Sequence, residues 1–244
     1  MRRDPDLFGR ALLDWSRGGT DPEYIQRADG LTVPGAGHEF YLAPFRDWPS
    51  SERASLRYAR GRVVDIGSGA GRVSLHLQTA GHDVVALDAS AHAVRSARLQ
   101  GVKDARHMSA RQIADEIGSF DTIILFGNNF GMFGTPERVS RVLTSWARRT
   151  HAGARILAES TTPYSGGAPA IDRSYYWRNK THGQMPGQIK IRTLYRDSVG
   201  PWSDWLFVSR QEMRQLVRGT GWKVCTIFGN LPSEPFVAIL EKQS

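Results

Sequence analysis

VVDIGSGAGR, Val63 to Arg72, is a β-branched apolar run interrupted by an acid; it turns through glycine at 67, 69 and 71 and opens into a segment of helical period. Glycine lets a backbone turn tightly and approach a ligand closely, and a helix starting there presents free N–H groups. The next apolar run, Val84 to Leu87, ends in a second acid, Asp88. A carboxylate at that point can accept hydrogen bonds from both hydroxyls of a ribose. Two acids around one glycine turn therefore point to a nucleotide-like ligand.

Outward from this stretch the pattern repeats. Between Arg62 and Glu159 the short apolar runs RVVDI, DVVAL, DTIILF and RILAE alternate with longer polar-apolar segments, a βαβ series. Continuous apolar runs suit strands buried on both faces of a parallel sheet. Arg72–Thr79, Ala91–Leu99 and Pro136–Thr150 read as helices, the last opened by Thr135 as N-cap and Pro136 at its first position.

The flanks are different in kind. YIQRADGLTVPGAGHEFYLAPFRDWPSSER, from Tyr24, is too rich in Gly, Pro and aromatics for one regular element and reads as a lid or entrance segment. After Glu159 a breaker-rich connection runs to Gln188, longer than compact domains carry without a functional reason. IKIRTLYRD and DWLFVS are expected to pair across SVGPWS as an inserted β-ribbon. Ser209 and Glu212 form a capping box for a helix ending near Gly219, and WKVCTIF and FVAILE supply the last strands. The expected division is a helical and lid segment over 1–60, a core over 61–160, a substrate-side insertion over 161–208, and a C-terminal helix and strands over 209–244 that complete the core sheet.

The glycine turn separates two families of nucleotide binder. A dinucleotide-binding fingerprint needs its third glycine at the position held here by Arg72, so GxGxxG fails. Asp65 also places a carboxylate where a pyrophosphate would approach, and like charges repel. The ammonium of an amino-acid tail would instead be welcome there.

DIGSGAG followed by ALDAS resembles the class I S-adenosylmethionine-dependent methyltransferases, over roughly Arg62 to Glu159. The resemblance implies a Rossmann-like α/β fold: a doubly wound seven-stranded sheet, mostly parallel, with an antiparallel last strand. It implies S-adenosylmethionine as cofactor and S-adenosylhomocysteine as product. By the same resemblance Asp65 holds the methionine ammonium, Gly67, Ser68, Gly69 and Gly71 wrap the cofactor, Asp88 binds ribose, and Ala89 touches adenine. Many relatives carry an acid after the third strand for the adenine amino group; here that stretch is ARHMSAR, which assigns Met108 and Ser109 to the adenine pocket.

GNNFGMFG follows DTIILF. Ligands of open α/β sheets lie beyond the carboxyl ends of the strands, so Gly127 and Asn128 are expected at the cofactor and Asn129 at the acceptor. A base-methylating relative would show an Asn or Asp, two prolines and an aromatic here, and NNF has no proline. The same asparagines would also serve a plain left-handed turn. Methyl transfer is an in-line displacement that needs a base only when the acceptor must lose a proton. His38 is the candidate base and Asn128 the second catalytic candidate, with Tyr41, Tyr175, Tyr176 and Trp205 on the acceptor. Aromatics in both flanks suit either a wall for a planar acceptor or a small core beneath a long loop.

Composition narrows the partners. At 244 residues, with 40% hydrophobic and 23% charged residues, the chain is expected to fold without staples. The net charge of +8 admits a nucleic-acid partner, yet only five of the 32 basic residues are Lys and no basic run exceeds two, which favours a solvated surface. The single cysteine, Cys225, leaves no disulfide framework and suits a reducing cytoplasm, the expected location. Asp4, Pro5, Asp6 and Asp14 interrupt the N-terminus before a signal-peptide core forms, and no membrane contact is expected. The seven histidines show no paired ligand spacing, so no metal is expected. The function expected is transfer of a methyl group to oxygen or nitrogen of a small metabolite; an RNA or DNA methyltransferase and a non-catalytic cofactor-binding protein are the alternatives.

Overall fold

The computed structural model describes residues 1–110, 118–163, 173–229 and 234–243. Part of the breaker-rich connection, 164–172, and Arg111 of ARHMSAR lie outside the described residues. In chain order the described strands are β1 (Arg2–Arg3), β2 (Glu23–Arg27), β3 (Thr32–Pro34), β4 (Arg62–Ile66), β5 (Asp83–Asp88), β6 (Ala105–His107), β7 (Thr122–Leu125), β8 (Arg155–Ser160), β9 (Gln188–Tyr195), β10 (Ser198–Val199), β11 (Ser203–Leu206), β12 (Trp222–Phe228) and β13 (Phe236–Lys242). The described α-helices are α1 (Leu7–Trp15), α2 (Gly37–Tyr41), α3 (Ser50–Ser55), α4 (Arg72–Thr79), α5 (Ala91–Leu99), α6 (Pro136–Ala147), α7 (Arg173–Thr181) and α8 (Arg210–Val217).

The fold is α/β and Rossmann-like. Its seven-stranded sheet has the order β12-β13-β8-β7-β4-β5-β6. β4, β5 and β6 are parallel, β7 and β8 are parallel, and β13 is antiparallel to both β8 and β12. The chain divides into two compact units: 1–48, 61–116 and 190–203 in the first, 49–60, 117–189 and 204–244 in the second.

In the first unit, Val63, Val64, Val85, Ala86 and Leu87 are completely buried, as continuous apolar runs between two helical layers require. Ser90 caps α5 by accepting the Ala93 N–H at 2.9 Å. Gly71 is the N-cap of α4 at φ +83°, and a Cβ there would stand 2.7 Å from Val102 Cγ2 and 2.9 Å from Ala97 Cβ. A left-handed backbone and close packing on α5 both demand glycine at this point. The amphipathic α1 buries Leu7, Ala11, Leu12 and Trp15 in one cluster with Ala70, Ala93 and Tyr195.

The first unit also contains a second sheet that local sequence does not announce, with the path β1-β10-β9-β2-β3. The stretch read as an irregular entrance segment supplies β2 and β3, an antiparallel hairpin turning through Asp29 and Gly30. β2 then pairs antiparallel with β9, Glu23 opposite Tyr195 and Arg27 opposite Ile191. Entrance segment and inserted ribbon are therefore parts of one sheet.

In the second unit, Ile123, Ile124, Leu125, Ile156, Leu157 and Ala158 are fully buried. Thr135 and Pro136 open α6 as expected, but the helix ends at Ala147 rather than Thr150. There the Arg149 N–H reaches back only three residues, to the Trp146 carbonyl, and the Thr150 hydroxyl bonds the same carbonyl. The Ser209 and Glu212 capping box opens α8.

Candidate functional site

The carboxyl ends of β4, β5 and β6 are laced together by hydrogen bonds around the glycine turn. The Gly67 and Ser68 N–H groups both donate to the Leu87 carbonyl, at 2.8 and 3.0 Å. Asp88 Oδ2 accepts the Gly69 N–H at 2.9 Å, and its Oδ1 accepts the Ser90 N–H at 2.8 Å. The Met108 N–H donates to the Asp88 carbonyl at 2.9 Å, and His107 Nε2 lies 3.0 Å from the carbonyl of Ala89. All nine cofactor residues expected in this unit, Asp65 to Ser109, thus sit on three adjacent strand ends and the turns after them.

The two acids have different environments. Asp65 is 3% exposed and accepts the Ser74 hydroxyl on Oδ2 at 2.6 Å. Burial pushes its carboxyl up to about 6, against the Ser74 hydrogen bond and the Arg72 guanidinium, which hold it down. Burial also raises Asp88, opposed by the N–H groups of Ser90 and Gly69. Each Asp88 oxygen has a second lone pair beyond its backbone bond, and those lone pairs are what a sugar diol needs.

The turn itself meets the requirement of a ligand with a polar tail. Gly67 and Gly69 take φ of +69° and +55°, which bares backbone to the ligand side. The Ser68 hydroxyl is buried with no hydrogen-bond partner, an orphan that a bound carboxylate or ammonium group would satisfy. An acid for an ammonium, an acid for a diol and an orphaned hydroxyl between them fit S-adenosylmethionine.

The acceptor candidates of the first unit lie on α2. Tyr41 stacks on Trp15, ring centroids 6.0 Å apart and planes 12° from parallel, and so joins the cluster that holds Ala70 of the glycine turn. His38 lies one turn earlier on the same helix. Just beyond, the Arg72 guanidinium is held over Phe40 at 4.5 Å and over Trp48 at 4.4 Å, and His76 stacks on Phe45 at 4.0 Å. The segment after α2 is thereby clasped to the first two turns of the glycine-turn helix.

In the second unit the expected residues gather about the turn after β7. Gly127 and Asn128 are both left-handed, at φ +68° and +63°. Glu159, next to last in β8 and 1% exposed, accepts the Gly127 N–H at 3.0 Å, and the Thr161 hydroxyl donates to Asn128 Oδ1 at 2.8 Å. Asn129 opens a 3-10 turn to Phe133. Trp205 reaches that turn, since a Cβ on Gly131 would stand 2.9 Å from its Nε1. Tyr175 and Tyr176 lie on α7, Tyr175 buried beneath the Arg178 guanidinium at 4.4 Å and Tyr176 edge-on to Trp177.

Residues 63–153 match the family model of a methyltransferase domain. That stretch is similar to a methyltransferase domain. The whole chain has the fold of S-adenosylmethionine-dependent methyltransferases: it is 24% identical to one from Bacteroides fragilis solved with S-adenosylhomocysteine, covering 98% of this chain and 95% of that one at a TM-score of 0.80. A methyltransferase from Methanosarcina mazei is 19% identical, with 77% and 95% covered and a TM-score of 0.59. The CcbJ methyltransferase of Streptomyces caelestis is 9% identical, with 82% and 95% covered and a TM-score of 0.58. No curated protein matches the sequence.

Ser74, Arg72, Glu159 and Thr161 act on residues expected at the site and were not themselves among the expected ones. Glu159 had a legible signal, since it ends a buried apolar run just as Asp88 does. No helix among the described residues is long and apolar enough to cross a membrane. Among those residues no group of three His, Cys, Asp or Glu side chains could hold a metal ion.

Proposed function

We propose that the protein is an S-adenosylmethionine-dependent methyltransferase that moves a methyl group to an oxygen or nitrogen of a small organic metabolite. The observation that carries the reading is the laced glycine turn, with a buried acid on one side and a diol-ready acid on the other. Asp65 takes the amino-acid end of the cofactor, Asp88 the ribose, and Ala89, Met108 and Ser109 border the adenine.

The bound cofactor supplies an activated methyl on a sulfonium whose thioether leaves without a proton. The protein's work is then mostly positioning, an effect worth up to roughly 7 to 11 kcal/mol in favourable cases. Asn128, fixed by Thr161 and by the Glu159 tie on Gly127, orients the acceptor, with Asn129 and Trp205 beside it. His38 takes a proton where the acceptor has one to lose. Tyr41, Tyr175 and Tyr176 give apolar surface to an organic acceptor. The proline-free NNF turn supports a small acceptor over a nucleic-acid base.

Pure protein incubated with methyl-labelled S-adenosylmethionine and three lysate fractions (small metabolites, nucleic acids, proteins) tests this reading. Label is expected in the small metabolites. Label confined to nucleic acid would replace the reading with base methylation, and cofactor binding without label anywhere would replace it with a non-catalytic role.

A further inference from the structure

Glu23, the first residue of β2, is 2% exposed, and its two carboxylate oxygens differ. Oε1 accepts the Gly37 N–H at 3.0 Å, at the start of α2. Oε2 is buried and has no hydrogen-bond partner. The chain wraps this carboxylate so closely that a Cβ on Gly35 would stand 2.1 Å from Oε1.

Position decides what the open oxygen faces. Glu23 pairs with Tyr195 across antiparallel strands, so both side chains stand on one face of the sheet. Tyr195 is fully buried in the cluster containing Trp15 and Ala70, with Tyr41 packed against it. Glu23 therefore shares a sheet face with a residue of the cluster that holds Ala70, and its bond to Gly37 sets it at the start of the helix that carries His38 and Tyr41.

Among the described residues no hydrogen-bond donor meets Oε2. Arg27, on the same face two pairs along, is engaged by Asp29 through two hydrogen bonds of 2.8 and 2.6 Å. A carboxylate oxygen kept out of water without a donor is costly, and native structures keep such groups where something else completes them. Trp15, Tyr41 and Tyr195 add aromatic surface, which favours a cation over a second anion.

We propose that Glu23 recognises a basic nitrogen of the methyl acceptor, through an N–H donated to Oε2, so that the acceptor is a small organic amine. This rests on the methyltransferase reading and narrows its substrate class. Gly37 stays bonded to Oε1 throughout, and the amine supplies the donor that Oε2 lacks.

The test divides the small-metabolite fraction of a lysate on a cation exchanger at neutral pH and offers the retained and unretained pools separately with methyl-labelled S-adenosylmethionine. Wild-type protein is expected to label the retained pool at least tenfold more than the other. Glu23→Gln keeps an oxygen for Gly37 but loses the charge, and should lower that labelling at least tenfold while S-adenosylhomocysteine affinity stays within twofold. Label chiefly in the unretained pool, or equal labelling of the retained pool by Glu23→Gln, overturns the proposal and leaves the methyltransferase reading standing. Label only in nucleic acid or protein overturns the proposal and the small-acceptor reading together. The partition of label by wild-type protein decides the matter even if the variant fails to fold.

Discussion

The Ser74 hydroxyl donates to Asp65 Oδ2 at 2.6 Å, holding the buried acid of the glycine turn from the first turn of the following helix. Burial nonetheless leaves the Asp65 carboxyl at about 6, well above its ordinary value. A raised carboxyl favours the folded state while protonated: this contribution is complete below about pH 4 and is lost as pH rises through 6. Ligand binding has the opposite dependence, because only the ionised form attracts an ammonium.

Affinity for S-adenosylhomocysteine is accordingly expected to fall as pH drops below about 6, and calorimetric titrations between pH 5 and 8 check this. Asp65→Asn should weaken binding at least tenfold at pH 8 yet stabilise the ligand-free protein there by about 1 to 3 kcal/mol, a gain that disappears near pH 4. Equal stability of variant and wild type at both pH values would remove the strain assigned to this carboxylate.

Arg72 links the same acid to the segment after α2. Its charge lowers the Asp65 carboxyl, and its guanidinium lies over the rings of both Phe40 and Trp48. Arg72→Met should destabilise the protein by about 1 to 2 kcal/mol through the lost cation–π contacts. It should also move upward the pH below which cofactor affinity fades. An unshifted pH profile would show that the guanidinium does not act on Asp65.

Two glycines of the site should respond unequally to alanine. At Gly71 the new methyl would meet Val102 and Ala97 at 2.7 and 2.9 Å, with φ at +83°; at Gly127, φ +68°, nothing lies within 4 Å. Gly71→Ala is expected to cost about 2 to 4 kcal/mol and Gly127→Ala only about 1 kcal/mol, measured by urea unfolding.

Asn128 tolerates its left-handed backbone, so glycine preserves the turn while removing the amide. Asn128→Gly should reduce methyl transfer at least tenfold with a stability change under about 1 kcal/mol. Thr161→Val, which removes only the hydroxyl on Asn128 Oδ1, should give a smaller loss in the same assay. Wild-type turnover in both would take this turn out of the reaction.

Legibility followed the range of the interactions. RVVDI and DVVAL announce β4 and β5 because burial on both faces leaves a continuous apolar run, and Thr135, Pro136, Ser209 and Glu212 announce helix starts through local capping bonds. β2 pairs with a strand more than 160 residues away, and EYIQR carries neither a continuous run nor clean alternation, so its partner is invisible locally. Asp65 and Asp88 were legible from their places around a glycine turn. Glu23, Arg72 and Thr161 make their contacts only once distant segments pack, and no spacing in the chain marks them.

The most direct measurement is a calorimetric titration of S-adenosylhomocysteine into the wild-type protein and into Asp88→Asn at pH 8. Asn keeps one oxygen and so only one of the two backbone N–H groups that Asp88 now holds, and it loses the charge and half of the diol-accepting capacity. Binding at one site per chain, weakened at least about 30-fold in a variant that remains folded, is the predicted result. No binding to the wild type, or equal affinity in both proteins, would contradict the assignment of this turn as the cofactor site.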